Sequence, residues 1–122
     1  MNIARNATIK KELIARWDKL GYTDAFIVKD AKERSPEIKL ATAPLSRWKN
    51  DKIDANGKRF HISDNQCLWL CFRYGIWVNL NFGTPVVIGG KLQYVIEDYS
   101  ESESLRRLRI VFPPKKAVKK KK

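Results

Sequence analysis

Ser46, Arg47 and Asn50 lie within one short stretch, Thr42-Ala43-Pro44-Leu45-Ser46-Arg47-Trp48-Lys49-Asn50-Asp51-Lys52, whose side chains suit base-edge chemistry. An arginine fork pairs bidentately with guanine, and serine and asparagine hydrogen-bond base edges in a major groove. Leu45 and Trp48 are three apart, the spacing of one inward helix face. The stretch therefore predicts a helix over 43–50, capped by Thr42, with Pro44 tolerated in the first turn. Arg47 is the first candidate for a base contact, with Ser46 and Asn50 beside it. Lys39, Lys49, Lys52, Lys58 and Arg59 are candidate phosphate contacts. Thr42 joins them through its hydroxyl or the helix N-terminus.

Other chemistries find little support in the residue types. General acid–base or nucleophilic catalysis needs converging titratable groups. The chain has one histidine, His61, and no glycine-rich phosphate loop. Its carboxylates are scattered among basic residues, the pattern of solvated pairs. Asp51, Asp54 and His61 are the one cluster that an unusual catalytic site would use, and we expect no enzyme. Cys67 and Cys71, the only cysteines, are four apart in an apolar helical pattern. Bridging them would distort the helix, and a zinc site needs about four ligands. Buried, reduced thiols are expected, with no metal, no cofactor and no small-molecule substrate.

The elements that must carry these residues follow from periodicity. Ile9, Leu13, Ile14, Trp17 and Leu20 mark one face of a helix over residues 7–20, stopped by Gly21. Thr23 reads as the cap of a second helix, Asp24–Arg34, with Ala25, Phe26, Val28 and Ala31 as core candidates. Ser35-Pro36 makes a boundary, and Pro36 is also suited to open a short helical turn. Residues 37–41 are expected as an extended linker anchored by Ile38 and Leu40. Residues 51–61 form a loop with a turn at Asn56-Gly57. Ser63 and Asp64 open a fourth helix to about Tyr74, apolar on more than one face and therefore central.

The period changes to two after Gly75. Ile76, Val78, Leu80 and Phe82 alternate with Trp77, Asn79 and Asn81, followed by short runs at 86–88 and 92–99. This predicts a small antiparallel meander. Residues 105–112 are expected as a last strand, with a short helix from Ser100 as the alternative. Trp77, Asn79 and Asn81, near Arg73 and Lys91, are a candidate stacking surface for a single strand. The fold class is α+β: a helical helix-turn-helix bundle of about four helices over 7–75, then a wing-like sheet over 76–112. Residues 1–114 make one domain, and 115–122 a disordered lysine-rich tail.

Residues 45–52, Leu-Ser-Arg-Trp-Lys-Asn-Asp-Lys, resemble the recognition helix of phage repressor and Cro-like helix-turn-helix proteins. Leu20-Gly21-Tyr22-Thr23 is similar to the link between their first two helices. The likeness covers roughly residues 7–52, and residues 64–76 also resemble small DNA-binding proteins of bacteriophages. The family joins its second and third helices by a tight turn, usually with a glycine. Here the interval from Arg34 to Ala43 is longer and holds Pro36, so either the turn is expanded or the second helix is broken. The resemblance implies a phage-encoded transcriptional regulator that presents residues 43–50 to double-stranded DNA.

The charge agrees with a polyanionic partner. The net charge is +12, and residues 113–122 hold six lysines and no acid. Residues 1–112 keep 19 basic against 13 acidic residues, so the body itself carries half of the excess. The alternative reading is an architectural or virion-associated phage protein that binds nucleic acid without sequence preference. A protein-interaction adaptor using exposed aromatics of the meander is a third. No apolar run of 18 or more residues is present, so no membrane partner is expected. The N-terminal Met-Asn-Ile-Ala-Arg-Asn carries no apolar signal region, which points to a cytoplasmic protein, in the bacterial host if phage-encoded, or to one in the virion. Two-fold symmetry pairs half-sites in most such readers, so a homodimer is among the expected forms, though no residue decides it.

Overall fold

A computed structural model describes residues 3–113 and gives an α+β fold. Four helices come first: α1 (Ala7–Leu20), α2 (Asp24–Arg34), α3 (Thr42–Lys49) and α4 (Asp64–Arg73). Six short strands follow: β1 (Ile76–Val78), β2 (Leu80–Asn81), β3 (Thr84–Pro85), β4 (Val87–Ile88), β5 (Lys91–Leu92) and β6 (Tyr94–Ile96). A fifth helix, α5 (Glu101–Val111), closes the described chain. The lysine-rich segment 115–122 lies outside the described residues. No helix among them is long and apolar enough to cross a membrane.

The helices begin and end where local chemistry dictates. The Asn6 side chain accepts the Ile9 amide at the start of α1, and Gly21 ends it at φ 73°. Thr23 accepts the Phe26 amide ahead of α2. Ser63 and Gln66 form a reciprocal capping box on α4. α4 is buried continuously from Cys67 to Arg73, so it is the central helix. Ile9, Leu13 and Trp17 of α1, Ile27 and Val28 of α2, and Leu45 and Trp48 of α3 pack into the same core. Cys67 and Cys71 are buried and free, and burial pushes the Cys71 thiol well up.

Several sequence expectations change. In α2, Val28 and Ala31 are buried as expected, but Ala25 and Phe26 are exposed and Ile27 takes their place in the core. Phe26 instead packs on Tyr22, with ring centroids 4.4 Å apart. Thr42 does not cap α3. Ala41 is the cap residue, without a side-chain bond, and Thr42 is the first helical residue. The linker before α3 keeps Ile38 and Leu40 as buried anchors and is extended at Ala41, but it opens with the short helical turn that Pro36 allowed, a 3-10 turn over Pro36–Ile38, and Lys39 follows in the left-handed region at φ 58°. α2 is continuous to Arg34, so the longer interval is an expanded turn rather than a broken helix.

The last element is helix α5, the alternative from Ser100, and not the strand expected over 105–112. Ser100 caps it by accepting the Glu103 amide, and Glu101 and Glu103 place negative charge at its positive end. Ser104 and Leu108 face α4, and the Ser104 hydroxyl donates to the Arg73 carbonyl at 2.8 Å. The sheet region therefore ends at Ile96 rather than near 112.

The meander is not one flat sheet. β1 pairs β6, β2 pairs β3 and β4 pairs β5, all antiparallel. The three ladders meet at Asn79, Val86 and Gln93. Asn79 N–H donates to Gln93, Gln93 to Val86, and Val86 to Asn79, each to the carbonyl, at 3.0, 3.0 and 2.8 Å. This closed ring of backbone bonds satisfies the junction and lets two hairpins splay from it. Gly75 sets its base: at φ 96° a Cβ would overlap the Glu97 carbonyl oxygen and the Arg16 guanidinium.

Candidate nucleic-acid interface

α3 is held on one side only. Successive residues turn by about 100° around a helix axis, so Leu45 and Trp48 share a face and Ser46, Arg47 and Asn50 fall opposite. Leu45 and Trp48 are fully buried, and the Trp48 indole donates to the Ala4 carbonyl at 2.8 Å. Ahead of α3, the Gln66 amide donates to the Ile38 and Lys39 carbonyls at 3.0 and 3.1 Å, which fixes the expanded turn to α4. Arg47 and Asn50 are exposed and Ser46 is half-buried. Asn50 is partly engaged: its amide donates to the Ser46 carbonyl at 2.9 Å. Arg47 remains the one long donor on the outward face, and its guanidinium lies over the Phe60 ring.

The loop after α3 folds back on it. Asp54 organises the turn, its carboxylate accepting the Asn56 and Lys58 amides at 2.8 and 3.0 Å. The Phe60 amide donates to the Lys52 carbonyl, and Ile53 bridges Arg59. Lys58 and Arg59 are thereby returned to the end of α3. Lys39, Thr42, Lys52, Lys58 and Arg59 are all exposed. Lys49 is committed elsewhere: its ammonium is 2.6 Å from Asp24 and 5.6 Å from the Trp17 ring centroid, so it ties α3 to α2 and α1.

Arg5, Lys10 and Lys11 are the residues that sequence reasoning missed. With Lys58, Arg59 and His61 they line a groove of about 840 Å³ between the start of α1 and the hairpin 51–61. Asp51 is the one acid among its lining residues. Lys10 reaches it at 2.5 Å and also sits 5.2 Å from the Trp48 ring centroid. Lys10 and its hydrogen bond hold the Asp51 carboxyl below its usual range. His61 is pushed down by partial desolvation and then by Arg5, Lys10 and Arg59. A second cleft, about 530 Å³, sets Glu12, Asp98 and Glu101 beside Arg16, Lys19 and Arg73, so its charge is balanced.

The remaining candidates are not gathered into a site. Asp51 and His61 share the groove, but the Asp54 carboxylate is occupied by the turn and Asp51 by Lys10. No group of three or more His, Cys, Asp or Glu placed to hold a metal occurs among the described residues. The single-strand surface does not form as expected. Trp77 is half-buried against Phe72 and covered by Arg107, 4.7 Å from its centroid, and Arg73 is buried. Arg106 and Arg107 lie on α5 and pair with Glu103.

No family model matches the chain, and neither does any curated protein or solved structure.

Proposed function

We propose that this is a double-stranded DNA-binding protein of helix-turn-helix type, a sequence-preferring transcriptional regulator that reads the major groove with α3. One observation carries the reading. α3 buries Leu45 and Trp48 and turns Arg47, Ser46 and Asn50 outward, beside a groove whose lining holds a single acid. Outward donors suit base edges, and flanking cations suit phosphates. Arg47 is the principal reader. Ser46 and Asn50 are secondary, because Asn50 must release Ser46 to reach a base.

A second reading, a nucleic-acid-coating architectural or virion protein, draws on the same groove. Cations outnumber base-reading donors on this side of the molecule, and non-specific binding needs only cations. The test is fluorescence anisotropy with random duplex DNA across a salt series, for the full chain and a 1–114 truncation, followed by site selection. The regulator reading expects the truncated protein to bind and to enrich a defined site, and Arg47→Ala to reduce discrimination. Binding that vanishes with the lysine-rich segment, or equal losses from both changes, overturns it.

A further inference from the structure

We propose that the groove between the start of α1 and the hairpin 51–61 seats one phosphodiester group, and that the Asp51 carboxylate is its built-in stand-in, occupying Lys10 and Arg59 until a phosphate displaces it. The inference rests on the nucleic-acid reading for the source of the phosphate.

The geometry is that of an occupied anion seat. Asp51 Oδ1 receives Lys10 Nζ at 2.5 Å and lies 3.8 Å from Arg59 Nη1. Lys10 is held independently of that carboxylate. Its side chain is only 17% exposed, and its ammonium rests on the Trp48 face. Removing Asp51 therefore leaves the cation in place. A phosphodiester carries one negative charge, as a carboxylate does, and offers two non-bridging oxygens to the same donors.

The backbone at Asp51 places the carboxylate directly after α3. Asp51 sits at φ 52°, in the left-handed region, directly after the Asn50 cap of α3. Glycine would make that turn at lower cost. Aspartate is among the few residues that adopt this region as single residues, so the turn after α3 can carry a carboxylate into the groove.

Asp51 does not neutralise the groove. Arg5, Lys11, Lys58 and Arg59 also line it, and His61 is held down in part by the cations around it. His61 is thus a reporter of the local potential. A bound phosphate lowers that potential and raises the His61 pKa; displacement of Asp51 partly offsets the rise. With Asp51 neutral, nothing competes for Lys10. The salt dependence should then steepen by up to about one counterion, because in the unsubstituted chain the displaced Asp51 carboxylate takes up a cation on binding and the asparagine does not.

The experiment compares the full chain with Asp51→Asn. Anisotropy with a random-sequence duplex over a salt series gives affinity and slope. NMR titration of the His61 imidazole, free and with saturating duplex or inorganic phosphate, gives the local potential. We expect D51N to bind severalfold tighter with the steeper slope, and duplex to raise the His61 pKa. Asp51→Gly, which relieves the backbone at φ 52°, serves as the second variant if D51N does not fold. Unchanged or weaker binding by a folded variant, or a His61 that saturating duplex leaves unmoved, overturns the proposal. If Arg47-dependent duplex binding persists in that case, the DNA reading stands and only the groove assignment fails. If phosphate moves His61 while no duplex binds, the groove assignment stands and the DNA reading fails.

Discussion

Arg47 holds its guanidinium carbon 5.0 Å from the centroid of the Phe60 ring, so the outward arginine of α3 is braced by the hairpin that follows it. A long side chain loses about 2 kcal/mol of rotamer freedom when fixed, and the stack has already restricted it. Phe60→Ala is therefore expected to lower discrimination between a selected duplex and random DNA. The loss should be smaller than that of Arg47→Ala, for which a base contact predicts about 1–3 kcal/mol. Competition anisotropy on both variants measures the two losses. A Phe60→Ala effect equal on all sequences would place Arg47 on a phosphate.

Asp30, Arg73 and Glu101 join three helices through charge. Arg73 Nε donates to Asp30 at 2.8 Å, and its two terminal nitrogens donate to Glu101 at 3.0 and 2.9 Å. Burial works against the Arg73 charge, but Glu101 and Asp30 outweigh it and raise its pKa. The Arg73 side chain is 6% exposed and that of Asp30 10%. Asp30→Ala strands a buried guanidinium nitrogen and should cost about 3 kcal/mol in urea unfolding. Glu101→Gln should cost less, because Glu101 is 60% exposed and water replaces it.

Glu103 gives the acid limb of stability a local cause. Hydrogen bonds from Arg106 and Arg107 push its carboxyl down to about 2. The folded pKa lies below the unfolded one, so this contribution is present above about pH 4.5 and is lost as pH falls towards 2. Glu103→Gln is expected to flatten the fall of Tm across that window and to leave its shape above pH 6 unchanged. Thermal melts by circular dichroism at stepped pH check both parts.

The helices were legible because their signals are local. Gly21, Thr23 and Ser63 act within a turn of themselves, and Leu45 with Trp48 states the inward face of α3. α5 is ambiguous between strand and helix in the sequence because Leu108, Ile110 and Phe112 alternate while Leu105 and Leu108 keep helical spacing. The deciding feature was Ser100 ahead of two glutamates, a cap with a charged first turn. The candidate site was half legible. Arg47 and its neighbours follow from one helix, but Lys10 meets Asp51 across 41 positions, and no periodicity relates them. The splayed hairpins were hidden for a different reason: an aromatic residue at a left-handed turn position contradicts ordinary turn chemistry.

That residue is Phe82, and it yields a stability prediction of opposite sign to most substitutions. Phe82 and Gly83 connect β2 to β3 at φ 53° and 82°, the backbone of a type I′ turn. Gly89 and Gly90 make the neighbouring hairpin in the same region at φ 59° and 78°. A bulky side chain in the left-handed region costs roughly 1–2 kcal/mol, and Phe82 recovers nothing by packing, since it is fully exposed. Phe82→Asn creates the Asn-Gly pair that this turn favours most. It should raise Tm by about 3–5 °C in a domain of this size. Phe82→Ala keeps most of the backbone cost and should melt close to the unsubstituted chain. A Tm below that of the unsubstituted chain for both variants would mean that the ring is buried in solution, against a surface outside the described residues.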